Sequence, residues 1–138
     1  MISPMSSITR AATRKKEERL NILMQDTHES YSTSMSHTNC EFYSIQVQGL
    51  KTWNKTQKKV PPHYNILDIN KGNNQIPDHI SYDLVFTQSP EQFSVLYPIA
   101  RQLHLPIVNM NHCLPMPNWP LQHLIQHKQM VSQANLNL

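Results

Sequence analysis

The sequence predicts an α/β fold: a Rossmann-like parallel sheet with helices on both faces. Three observations carry that expectation. Five short apolar runs recur between polar stretches. The stretch from Tyr82 to Met110 reads as strand, capped helix, strand, the βαβ unit that closes a parallel sheet. And 138 residues can bury the core of one domain but not of two.

The first strand is expected at Asn21 to Gln25, the second at Glu41 to Val47 and the third at Tyr64 to Ile69. The fourth is expected at Asp83 to Thr87, the fifth at Pro106 to Met110, and Leu136 to Leu138 begins a sixth that the end of the sequence truncates. Short apolar runs bounded by turn residues suit strands covered on both faces. The clearest helix follows the fourth strand. Ser89 can cap it, Pro90 suits its first position and Gln92 can return the capping bond. Phe93, Leu96, Tyr97, Ala100 and Leu103 then recur at helical spacing, and Pro98 is expected to kink the helix near Ser94. Leu121 to Met130 is a second helix candidate.

The first crossover falls on His28 to Asn39. Its serines and threonines compete with helix formation, yet Tyr31 and Met35 are spaced to face the sheet and Asn39 can end the turn. Gln48 to His63 carries four lysines and then Pro61-Pro62, and reads as an exposed excursion.

Composition excludes several functions. The net charge of +3 is local, because Arg10 to Arg19 holds five basic and two acidic residues while the rest of the chain balances. Residues 1–19 therefore read as a basic leader or first helix, ahead of one domain over residues 20–138. The patch is either simply solvated or makes weak contact with an anionic membrane surface. Two glycines, Gly49 and Gly72, are too few for a P-loop or a G-x-G-x-x-G turn. Two cysteines make no disulfide scaffold, no apolar run reaches membrane-spanning length, and the amino terminus lacks a secretory pattern. A cytoplasmic location is the expectation.

In a parallel sheet, ligands sit beyond the carboxyl ends of the strands. Three residue sets fall there: Asp26, Thr27, His28, Glu29 and Ser30; Thr87, Gln88 and Ser89; Asn109, Asn111, His112 and Cys113. Together they would line one crevice rich in donors and acceptors, suited to sugar hydroxyls. Each also has a plainer reading. His28 and Glu29 can open a helix, Ser89 can be only a cap, and His112 can be a loop histidine. His123 and His127 share a helix face but have no third ligand, so no metal is expected. Adjacent His112 and Cys113 make a poor nucleophile pair.

Beyond these readings lies a resemblance. Asp83-Leu-Val-Phe-Thr-Gln, then Ala100-Arg-Gln-Leu-His-Leu-Pro106, then Ile-Val-Asn-Met-Asn-His112 resembles the amino-terminal domain of GT-B glycosyltransferases of the family 4 type. Asn111-His112-Cys-Leu-Pro115-Met-Pro117 is similar to an E-H-T-L-P-M-P run of bacterial and tailed-phage glycosyltransferase-like proteins, with Asn111 in place of the glutamate. Thr27-His28-Glu29-Ser-Tyr31 is similar to their T-H-E-x-Y opening. The resemblance spans residues 20–138. It implies the acceptor-side half of an enzyme that moves a sugar from a nucleotide-sugar donor to a glycan or other acceptor.

By the same resemblance His112 is catalytic, lying near the transferred sugar. Thr27, His28, Glu29, Gln88, Ser89 and Asn111 bind the acceptor. No cofactor is implied, and the donor nucleotide belongs to a carboxyl-terminal domain absent from this sequence. The chain alone would then be inactive and prone to self-association. The alternative is a non-catalytic module that binds a glycan or a partner.

Overall fold

The computed structural model describes residues 15–26, 28–110 and 118–136. Five strands form one parallel sheet in the order β3-β2-β1-β4-β5, so the predicted α/β class and all five predicted strands are present. The chain divides into two compact units, residues 1–83 and 84–138.

In the first unit, β1 spans Asn21–Met24, β2 Glu41–Ser44 and β3 Tyr64–Ile66. Leu23 pairs with Tyr43 and Met24 with Ser44; Phe42 pairs with Tyr64 and Ser44 with Ile66. Ile22, Leu23 and Met24 are consecutive and all buried, as a strand covered on both faces requires. In β2 burial alternates, with Phe42 and Ser44 inside.

The first crossover does contain a helix, α1, spanning Glu29–Met35, followed by a 3₁₀ turn at Ser36–Thr38. Its hydroxyls find backbone partners close by. Thr33 and Ser34 donate their hydroxyls to the carbonyls of Glu29 and Ser30, and Ser36 and Thr38 in the turn donate to those of Thr33 and Met35, so the hydroxyls are satisfied locally. Asn39 ends the segment in the left-handed region, at φ 59°, where asparagine is tolerated. The buried face differs from the expectation. Glu29, Ser32 and Ser36 point inward, while Tyr31 and Met35 are half-buried, because the inner side of this helix meets polar groups.

The second crossover, from Ile45 to His63, is not simply exposed. Ile45 and Trp53 belong to the core with Cys40, Phe42 and Tyr64, and the Trp53 and Tyr64 rings lie 5.1 Å apart. After β3 a 3₁₀ segment runs Ile69–Gln75. The Gln75 side chain then imitates a strand. Its Oε1 accepts from the Gln46 N–H at 2.6 Å, and its Nε2 donates to the Gln46 carbonyl at 2.9 Å. At the opposite end of the strands, Arg19 of the predicted leader lies 3.2 Å from Glu41 and 2.7 Å from His63. It is paired rather than solvated.

In the second unit, β4 (Leu84–Thr87), α2 (Pro90–Gln102) and β5 (Ile107–Asn109) form the predicted βαβ unit. Phe93, Leu96 and Ala100 bury one stripe of α2. Ser89 caps it, its Oγ accepting from the Gln92 N–H at 3.2 Å, and Gln92 returns a bond to the N–H of Gln88 at 2.8 Å, one residue earlier than in a standard capping box. The helix continues past Pro98 to Gln102. It ends in a Schellman motif: the N–H of His104 reaches the carbonyl of Arg101 and that of Leu105 the carbonyl of Ala100.

A third helix, α3, spans Leu121–Leu136. The expected sixth strand at Leu136 is thereby overturned, since a run rich in glutamine and leucine with neither glycine nor proline sustains helix to that residue; residues 137 and 138 lie outside the described residues. No helix among the described residues is long and apolar enough to cross a membrane.

His104 holds φ 54° at the position where glycine usually closes this motif. His104→Gly is expected to stabilise the chain by about 0.5–1 kcal/mol, and a β-branched His104→Val to destabilise it. Urea denaturation of the three proteins checks the order.

Candidate functional site

Beyond the carboxyl ends of β1 and β2, and reached by the side chain of Tyr64 from the start of β3, lies a buried polar cluster, and its centre is Asp26, two residues beyond β1. Asp26 is 2 % exposed. Its Oδ1 accepts from the Ser44 hydroxyl at 2.8 Å and from the Tyr64 hydroxyl, and its Oδ2 accepts from Gln46 Nε2 at 3.1 Å. A buried carboxylate is tolerable only with such a set of donors. Burial, and then the neighbouring Asp26 charge, push the Tyr64 hydroxyl far above its ordinary pKa, so Tyr64 is a fixed donor. Ser32, on α1, closes the cluster from above at 3.5 Å from that hydroxyl.

Next along the chain stand two of the predicted acceptor residues, His28 and Glu29. His28 is exposed and caps α1, its Nδ1 accepting from the Tyr31 N–H at 3.2 Å, which leaves the ring proton on Nε2. Its ring meets that of Tyr31 edge-on at 5.8 Å. Ser30 beside it is exposed. Glu29 turns inward: Oε1 accepts from the Asn54 N–H at 2.8 Å and Oε2 from Lys51 Nζ at 3.1 Å. The Asn54 N–H first, then Glu29's own backbone N–H and the Lys51 charge, outweigh desolvation and hold its pKa at about 2. Glu29 therefore clamps the second crossover onto α1.

Gln88 and Ser89 belong to the second unit. Gln88 is buried, and Ser89 is engaged in capping α2. Nearby, the Thr87 hydroxyl lies 2.7 Å from Asn109 Oδ1, joining the ends of β4 and β5. Thr27, Asn111, His112 and Cys113 lie outside the described residues. On α3, His123 is exposed and His127 packs edge-on against Trp119 at 5.5 Å. Among the described residues no three His, Cys, Asp or Glu side chains gather in a way that could hold a metal ion.

Sequence reasoning singled out the rim and Asp26, but not Ser44, Gln46 and Tyr64, which bond to it. Ser44 and Gln46 sit two apart, hence on one face of an extended segment. Polar residues at alternate positions of an otherwise buried strand were the available signal. No family model, curated protein or solved structure matches the chain.

The clamp generates a pH prediction. The depressed pKa of Glu29 means that its ionised form stabilises the fold above the ordinary value of 4.5, and that this contribution is lost as pH falls toward about 2. Glu29→Gln is expected to cost about 1–2 kcal/mol near neutrality, with the gap to the wild type closing across that acid range. Denaturation at a series of pH values measures it, and a gap independent of pH would refute the clamp.

Proposed function

We propose that this chain is the acceptor-side domain of a GT-B-type glycosyltransferase, one that moves a sugar from a nucleotide-sugar donor to a glycan or other hydroxyl-bearing acceptor. The observation that carries the reading is the hydrogen-bonded floor beyond the carboxyl ends of β1 and β2, where Asp26, Ser44, Gln46 and Tyr64 lock together, with Asp26 two residues before the exposed His28. This is the end of a parallel sheet at which ligands are bound, and a rigid polar floor orients side chains above it. In this reading His28 and Ser30 bind acceptor hydroxyls, a role the resemblance also gives to Thr27 and Asn111. Glu29 acts by holding the second crossover in place. The resemblance would add Gln88 and Ser89 to the acceptor side and would have His112 orient the transferred sugar or the departing phosphate.

The donor nucleotide would be held by a further domain outside residues 1–138. Positioning and charge stabilisation then supply the catalysis. A second reading, a non-catalytic glycan-binding module, is favoured by one observation. Both carboxylates of the described rim and floor, Asp26 and Glu29, are engaged in internal hydrogen bonds, which suits holding a ligand better than exchanging protons with it.

Titration of the labelled chain with oligosaccharides is expected to shift the resonances of His28 and Ser30, and His28→Ala is expected to weaken that binding about tenfold. The isolated chain is expected not to turn over nucleotide sugars. Turnover above a His112→Ala control would contradict the division of labour, and an absence of saccharide binding would remove both readings.

A further inference from the structure

We propose that the loop of residues 48–60 is a docking surface for a bilayer that carries anionic lipid headgroups. The inference goes beyond the sugar-transfer reading and does not rest on it. Between Phe42 and Leu67 the chain has no Asp or Glu, but it has Lys51, Lys55, Lys58 and Lys59. Lys51 is neutralised by Glu29 at 3.1 Å. Among the described residues, no ion pair engages Lys55, Lys58 or Lys59. Lys55 and Lys59 are exposed and Lys58 is half-buried.

These lysines are carried on a built turn rather than a slack loop. The Trp53 indole N–H donates to the Lys58 carbonyl at 2.7 Å, and its ring is buried against Tyr64. Asn54 Oδ1 accepts from the N–H and hydroxyl of Thr56, and the Asn54 carbonyl accepts from the N–H groups of Gln57 and Lys58. Glu29 fixes the Asn54 N–H from below. A segment already ordered loses little freedom on docking, so the charges can act together.

The chemistry of the turn selects the partner. Its cations are all ammonium groups, which act as point charges toward phosphates and lack the forked geometry that reads base edges. Its one aromatic residue, Trp53, is buried, so no ring is offered for base stacking, on which single-stranded nucleic acid binding depends. A diffuse sheet of headgroup phosphates needs neither device, and each lysine near such a surface contributes a several-fold factor in partitioning.

The test is co-sedimentation of the full chain with phosphatidylcholine vesicles, with and without about one-third phosphatidylserine. We expect binding to the anionic vesicles alone, abolished near 1 M salt, where the screening length falls to about 3 Å. The variant K55S/K58S/K59S should lose roughly a hundredfold in partitioning, whereas K55R/K58R/K59R should retain it; unchanged tryptophan emission verifies the fold of each. A leader variant, R10S/R14S/K15S, should bind like the wild type. Equal binding to neutral vesicles, indifference to the serine substitutions, loss confined to the leader variant, or tighter binding to duplex or single-stranded nucleic acid at the same salt would each overturn the proposal.

Discussion

The first unit depends on one carboxylate. Asp26 stands just past the end of β1, and the three strands of that unit are tied together through it: Ser44 at the end of β2, Gln46 just past β2, and Tyr64 at the start of β3. Hydrogen bonds to a buried carboxylate are stronger than neutral ones, and leaving the group without them is costly. The pairing is also geometrically exacting. Three donors from three places in the sequence converge on two oxygens, which fixes how far each strand can slide against its neighbours. A purely apolar contact of the same size would tolerate a shift that this cluster does not.

From that centre the constraint spreads outward by contact. Tyr64 is held by its hydroxyl and so presents its ring to Trp53. Trp53 fixes the turn at Asn54–Lys58, and Asn54 meets Glu29 on the first turn of α1. The second crossover therefore needs no helix of its own. A covering helix normally shields this face of a parallel sheet; here a single buried indole and the partly exposed Lys51–Glu29 pair do so. On the far side, Gln75 extends the backbone pairing past the end of β2 with a side-chain amide.

The strands were legible because their apolar runs are uninterrupted where they are buried, as in Ile22-Leu23-Met24. The cap at Ser89 and the stripe Phe93, Leu96 and Ala100 were legible because helix starts and helical spacing are local signals. What escaped notice was long-range. Glu29 and Asn54 are twenty-five residues apart, and nothing near either one announces the other. Trp53 looked solvated because its neighbours are lysine, threonine and asparagine. The inward face of α1 was misjudged because its contacts are polar, and a search for apolar spacing passes over Ser32 and Ser36. Of the candidate site, the rim and Asp26 followed from the rule that ligands gather at strand ends, while the donors to Asp26 from Ser44, Gln46 and Tyr64 required knowing which strands are neighbours.

The two tryptophans of the sequence fall one to each unit. Trp53 is sealed beneath the lysine turn, and Trp119 is half-buried with an imidazole against it. The protein thus carries a built-in pair of optical reporters with different surroundings. Replacing either indole with phenylalanine would leave a single emitter. Its wavelength and quenching would then report when that unit opens, and whether the two units melt as one body or in succession.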